Sequence, residues 1–207
     1  MEKKDIPINV VTRIPLYLQT LNQMARDGVG ITSSKILSEM LGITAAQIRK
    51  DLSYFGGFGK QGSGYQLFTL IDELQKILNV NRIWQLALVG VGDLGHALIH
   101  YHEFARHGFE ILMAFDKAPG KIGKKVGTLI IQSYDSLPGE LKKGSIRIAI
   151  LTVPASTAKS VADLLVESGV KAILNYAPVN LQLPDDVYIQ NMDPIQSLQR
   201  MTFYLEG

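Results

Sequence analysis

The spacing of apolar residues changes partway along this chain. In the first third it is helical. Leu16, Leu18, Leu21 and Met24 mark an amphipathic helix over residues 13–26, ended by Gly28 and Gly30. Thr32 or Ser33 can cap a second helix over 34–41, closed by Gly42. Thr44 at the N-cap and Gln47 at N3 form a capping box that opens a third helix over 45–54. A fourth helix is expected over 69–78. From residue 84 the pattern becomes alternating. Nearly continuous apolar strands at 84–89, 109–115, 146–152, 171–174 and 187–190 are interleaved with helices at 93–106 and 155–168. Such strands fit a parallel sheet covered on both faces. Between them, residues 117–133 are a polar, glycine-bearing excursion with a short strand candidate at 128–132. A last helix begins at Asp193 as N-cap, with Pro194 at N1 and Gln196 at N3. Its stripe of Ile195, Leu198, Met201, Thr202 and Leu205 needs a partner surface.

The short break LGIT (residues 41–44) between the second and third helices has the spacing of a helix-turn-helix. In the third helix Ile48, Leu52 and Phe55 recur at i, i+4 and i+7 and face a core. Arg49 and Lys50 lie off that face, and Ala45, Ala46 and Gln47 stand near the exposed first turn. That is the end of a recognition helix that meets base edges. The competing reading is a three-helix packing unit with a basic surface. The segment GGFGKQGSGY (residues 56–65) follows, with five glycines in nine residues from 56 to 64. It is either a flexible linker or a hairpin turned at Gly62–Gly64, with Phe58 and Tyr65 on its arms. A glycine-tipped hairpin after a recognition helix is the wing of a winged helix, which can bring Lys60 and bare backbone to a phosphate or a minor groove.

Residues 86–95 read LALVGVGDLG, an apolar strand running into G-x-G-x-x-G, and Asp116 follows Gly95 by twenty-one residues, behind the second strand. This is the dinucleotide fingerprint in its required strand–turn–helix context. Gly90 permits the turn, Gly92 admits a pyrophosphate, and Gly95 allows the helix to pack on the strand. Asp116 can accept hydrogen bonds from a ribose diol and repels a 2′-phosphate, which favours NAD over NADP.

Composition narrows the chemistry. The chain has 207 residues, 46% hydrophobic, which is enough for two small domains or one large one. It has no cysteine, so disulfides, thiolate metal sites and thiol switches are excluded. Lys and Arg exceed Asp and Glu by 9 − 7 = +2 over residues 1–80 and by 12 − 12 = 0 over 81–207. No apolar run approaches the roughly 18 residues a membrane span needs, and no signal-peptide core follows the polar N-terminus. A cytoplasmic protein is expected. His96, His100, His102 and His107 all fall on or near the first helix of the alternating region. None sits at a strand end, where hydride chemistry would place an acid–base group. No metal is expected, since the HExxxH of residues 102–107 misses the zinc spacing by one residue.

Five segments in this order, SSKILSEMLGIT (33–44), QIRKDLSYFG (47–56), GVGDLG (90–95), LTVP (151–154) and ILNYAP (173–178), make the chain resemble the Rex family of redox-sensing transcriptional repressors over nearly its whole length. The resemblance implies an α/β chain with an N-terminal winged helix-turn-helix (1–80), a Rossmann-type parallel sheet domain (81–191) and a C-terminal helix (192–207) swapped onto the partner in a homodimer. It implies NAD(H) held by Gly90, Val91, Gly92, Asp93, Leu94, Gly95, Asp116 and Lys117. Thr152, Val153 and Pro154, with Asn175, Tyr176, Ala177 and Pro178, would close over the nicotinamide half. DNA would be met by Ser33, Ser34, Thr44, Ala46, Gln47, Arg49, Lys50 and Tyr54, with Lys60 on the wing. Arg13, Tyr101 and Asp193 would couple cofactor state to the DNA-binding domains. Asp93 stands where some relatives carry Arg, and Pro194 where some carry an aromatic residue. The expected function is a non-enzymatic repressor that binds pseudo-palindromic operator DNA as a homodimer and releases it when NADH binds. An NAD-dependent oxidoreductase is the alternative, but about 110 residues after the winged helix leave little room for a catalytic domain. A nucleotide- or acyl-CoA-binding module without a DNA partner is another.

Overall fold

The computed structural model of the chain describes residues 6–58 and 64–205 and divides into two compact units, Met1–Arg82 and Ile83–Gly207.

In the first unit, α1 spans Ile8–Arg26 and starts five residues earlier than the periodicity suggests. Pro7 stands at its N-cap in an extended conformation, with φ −58° and ψ 137°, and Pro15 is accommodated inside at the loss of one backbone donor. Strand β1 (Ile31–Thr32) follows, then α2 (Ser34–Leu41) and α3 (Ala45–Ser53). Ser33 rather than Thr32 caps α2, its hydroxyl accepting from the Ile36 amide at 3.2 Å, and Thr44 caps α3 through the Gln47 amide at 3.2 Å. Each such cap contributes about 1 kcal/mol. Only half of the expected capping box forms, because the Gln47 side chain turns down the helix to Asp51 at 2.6 Å. Strand β2 (Tyr65–Gln66) leads directly into α4 (Leu67–Leu78). Strand β2 pairs antiparallel with β1, through Thr32↔Tyr65, so the Tyr65 arm finds a ladder partner before α2. Two-residue strands carry no periodicity, which hid this pairing. Lys60 and most of the expected turn lie outside the described residues. Ile14, Tyr17 and Leu21 of α1 meet Leu37, Ile48, Leu52, Leu67, Leu70 and Leu74 in one core, every one of them at most 2% exposed.

The second unit begins with β3 (Trp84–Val89), α5 (Asp93–Ile99), α6 (Glu103–Arg106) and β4 (Phe109–Asp116). An edge hairpin of β5 (Lys125–Val126) and β6 (Leu129–Ser133) fills the polar excursion, followed by a 3-10 turn (Tyr134–Ser136). Then come α7 (Leu137–Gly144), β7 (Ile148–Leu151), α8 (Ala155–Glu167), β8 (Ala172–Asn175), β9 (Tyr188–Asn191) and α9 (Pro194–Thr202). The seven strands lie in the order β5-β6-β4-β3-β7-β8-β9, all neighbours parallel except β5 on β6. Counted in chain order, the six parallel strands stand 3-2-1-4-5-6, the doubly wound dinucleotide-binding order. Alternate residues feed alternate faces. Ala87, Val89, Phe115 and Leu151 pack with Leu141 of α7 and Ala158, Ala162 and Leu165 of α8. Leu86, Leu88, Ala114 and Ile150 pack on the other face with Leu98, Ile99 and Phe104.

Two expectations fail here. The helix over 93–106 breaks at residues 100–102, because the His100 ring nitrogen lies 2.9 Å from the His96 carbonyl. With that acceptor engaged, the His100 and Tyr101 amides bond to the i−3 carbonyls of Ala97 and Leu98. Helix α7 was not anticipated, since its Pro138 and Gly139 suggest a breaker, yet Pro in a helix's first turn lacks only a donor that has no partner there. Helix α9 buries none of its residues. Ile195, Leu198 and Met201 are 57%, 55% and 61% exposed.

Candidate functional site

The strand order reverses between β3 and β7, where Val89 and Leu151 are register neighbours. Ligands of open parallel sheets bind beyond the strand ends at such a reversal. Gly90 leaves β3 at φ +100°, and a Cβ there would lie 2.6 Å from the Thr152 carbonyl oxygen. A Cβ on Gly95 would lie 2.1 Å from the Gly90 oxygen. Both glycines are therefore fixed by the packing of the unit itself. Gly92 is different. Its φ is −82° and an added Cβ would meet nothing within 4 Å, so neither conformation nor packing requires glycine. What its bareness preserves is open space, at the edge of a cavity of about 720 Å³, within the usual range of small-molecule sites. No side chain caps α5, which leaves first-turn amide donors for an anion.

Asp116 forms another wall of this cavity. Its Oδ2 accepts from the Val91 amide at 2.8 Å and from Lys121 Nζ at 3.1 Å, and its Oδ1 from the Ala118 amide at 2.8 Å. Burial pushes the Asp116 carboxyl up, but these donors outweigh it and hold the group below the ordinary carboxylate range. The acid thus pins the glycine loop while one edge faces open space. Across the cavity, the Thr152 hydroxyl donates to the Gly90 carbonyl at 2.7 Å and ties β7 to the same loop.

Of the expected cofactor residues, Gly90, Gly92, Asp116, Lys117, Thr152, Val153 and Pro154 line this cavity. Val91 and Gly95 are buried behind it, and Asp93 and Leu94 are exposed on the first turn of α5. Asn175, Tyr176, Ala177 and Pro178 do not line it. Asn175 is fully buried, its amide nitrogen donating to the Ala177 and Val179 carbonyls and to Asn191 Oδ1, and its oxygen accepting from the Ala177 amide. It holds the turn together and offers no free polar edge. Ala177 and Pro178 instead border a separate hollow of about 90 Å³ with Asp193, whose carboxylate caps α9 through the Ile195 amide at 2.9 Å. Lys121, Tyr134, Thr157 and Ser160 also line the main cavity, and sequence reasoning missed them. Thr157 and Ser160, one turn apart on α8, were legible only as a small polar stripe.

In the first unit Ala46, Arg49 and Lys50 are exposed on α3, with Thr44 at its start and Tyr54 half-buried at its end. Arg49 Nη1 donates to Ser34 Oγ at 2.9 Å, and Ser34 is buried, so it steers Arg49 from α2. Ser33 is occupied as a cap. Arg13, expected to help couple cofactor state to the DNA-binding domains, grips Asp51 of α3 within the chain, with Nε and Nη2 at 2.6 and 2.7 Å. Asp51 was overlooked because it follows Arg49 and Lys50 in what looks like a solvated charge run. Tyr101 is 54% exposed, and its ring meets Phe104 edge-on at 5.3 Å.

Family models match both parts of the chain, a "CoA binding domain" over residues 81–179 and a "putative DNA-binding protein N-terminus" over residues 5–53. The redox-sensing transcriptional repressor Rex of Chloroflexus aurantiacus is 48% identical over 206 residues, 99% of this chain and 97% of its own. Among solved structures, RSP, a Rex-family repressor, in complex with β-NAD+ and operator DNA superposes with a TM-score of 0.93 at 36% identity, covering 97% of this chain and 92% of that one. RSP in complex with β-NADH superposes at 0.89 and 34%, covering 97% and 94%.

Proposed function

The chain belongs to the Rex family of redox-sensing transcriptional repressors, and on that premise we propose that it binds operator DNA as a homodimer and releases it when NADH replaces NAD+. Like its family, it is a regulator and not an enzyme. The observation that carries the cofactor half is Gly92, whose bareness keeps the edge of the cavity open, beside an ionised acid at the reversal point of the sheet. The residues present fit a dinucleotide. Amides of the loop and the α5 start would hold its diphosphate, and Asp116 its adenosine ribose, with Lys117 close by. The group supplies the signal, a nicotinamide that gains a hydride and loses its positive charge. Burying a cation without a partner is costly, and the mostly apolar wall of Val153 and Pro154 favours the neutral form. Thr152 braces that wall against the loop.

Arg49 and Lys50, with Ala46, Gln47, Thr44 and Tyr54 around them, would meet the major groove, while Ser33 and Ser34 hold the start of α2 and the Arg49 side chain. Lys60 would reach the phosphates. The exposed stripe of α9 supports its expected role as a swapped dimer helix, with Asp193 capping it and Tyr101 near the subunit contact. No helix among the described residues is long and apolar enough to cross a membrane, and a chromosomal operator with a free NAD(H) pool argues for action in the cytoplasm. Shifting such a dimer from about 1:99 to 99:1 in favour of the released state needs roughly 5.5 kcal/mol of differential cofactor affinity. The test is an operator gel shift titrated with each cofactor. NADH releases the DNA and NAD+ does not; equal responses overturn the proposal.

A further inference from the structure

The first unit buries one carboxylate completely. Asp51 is 0% exposed, and its two oxygens meet four donors. Oδ1 accepts from Arg13 Nη2 at 2.7 Å and Gln47 Nε2 at 2.6 Å. Oδ2 accepts from Arg13 Nε at 2.6 Å and the Tyr17 hydroxyl at 2.6 Å. Arg13 and Tyr17 supply three of these bonds and Gln47 the fourth, which fills the acceptor capacity of the acid. Burial pushes the Asp51 carboxyl up, yet the bonds from Arg13, Tyr17 and Gln47 outweigh it and keep it ionised.

An ionised carboxylate only accepts hydrogen bonds. It therefore dictates which way the Gln47 amide faces, since a carbonyl oxygen turned toward Asp51 would meet a second acceptor. One N–H of Gln47 is committed to Asp51. The other N–H and Oε1 are left for a further partner, and among the described residues no protein group engages Oε1. Gln47 sits in the first turn of α3 between exposed Ala46 and Arg49. An edge with one acceptor and one donor complements the N6–H and N7 of adenine in the major groove. Guanine shows two acceptors there and gives Oε1 nothing to accept.

We propose that Asp51, without touching DNA, is a specificity-determining residue that locks the Gln47 amide and so commits the recognition helix to adenine at one position in each half-site. The proposal rests on the operator-binding reading above. Arg13 and Tyr17 extend the lock to α1.

The test uses sites selected from random duplex DNA by the full-length protein, with each adenine in turn replaced by 7-deazaadenine, which lacks the N7 acceptor. One adenine per half-site should cost the wild type at least about fivefold in affinity when N7 is removed, and cost Gln47→Met nothing. The paired variant Arg13→Met with Asp51→Leu exchanges the ion pair for apolar groups of similar size, a replacement that folded proteins commonly tolerate. It frees the amide and should relax base preference at that same position alone. Tyr17→Phe, which keeps Asp51 and Gln47 paired, should retain the preference. If the wild type selects no site, the operator-binding reading fails and this proposal with it. Selected sites in which no adenine depends on Gln47, or an ion-pair variant with undiminished preference, overturn this proposal alone.

Discussion

Asp51 in the first unit and Asp116 in the second are both buried acids held below the ordinary carboxylate range, yet they are built for different work. The donors to Asp51 are all side chains of α1 and α3, and they close it off from solvent. Asp116 takes two backbone amides and one lysine that is 42% exposed, and it borders an open cavity. An ion pair so exposed contributes little and is readily exchanged. The contrast separates a carboxylate that fixes helices from one that can accept a ligand. Depth of burial alone does not make that distinction, because both are under a tenth exposed.

The sharpest way to break the comparison is to delete each acid in turn. Asp51→Ala leaves the Arg13 guanidinium without its partner and should cost the first unit about 3–5 kcal/mol. Trp84, the single tryptophan, lies in the second unit, so its emission should still report a native transition while far-UV circular dichroism shows early helix loss. Coincident transitions would mean that the two units do not unfold separately. The pH dependence has a fixed sign. With a folded value below the usual 3.9 or so, the contribution of Asp51 is complete above that pH and is lost as pH falls through the lower folded value. Asp51→Asn should therefore flatten the acid limb of unfolding in the first unit.

Asp116→Ala strands the Val91 amide and should cost the second unit less, about 1–3 kcal/mol. It should weaken NADH binding measured by cofactor fluorescence and leave cofactor-free DNA binding unchanged. Arg49→Ala should weaken operator binding by about 1–3 kcal/mol with NADH affinity intact. The smallest change in stability is expected for Gly92→Ala, within about 0.5 kcal/mol, because nothing surrounds the added methyl group. Its NADH affinity should nonetheless fall several-fold, and an unchanged affinity would remove Gly92 from the site.

The central strands β3 and β7 were legible because they are buried nearly throughout, so position along the chain and apolar content coincide. The glycine loop and Asp116 were legible because backbone approach and strand ends impose fixed spacings. What escaped notice depended on partners distant in sequence. Asp51 becomes a core residue only when α1 brings Arg13 and Tyr17, 38 and 34 residues earlier, onto it. The β1–β2 ladder joins residues far apart through strands too short to show a pattern. Asn175 has the composition of a ligand contact, but its amide is occupied by its own loop and by Asn191. Helix α7 hid behind a proline in its first turn, where the missing donor has no partner to lose. Lys121 and Ser160 reach the cavity through folding alone.

The coupling of the two units is tested most directly by measuring NADH affinity in the absence and presence of saturating operator DNA. Linkage requires that DNA weaken NADH binding by the same factor by which NADH weakens DNA binding. A matching loss of NADH affinity on operator, with NAD+ affinity held or raised, is the expected result. Equal NADH affinities for the free and DNA-bound protein would contradict a cofactor-controlled repressor.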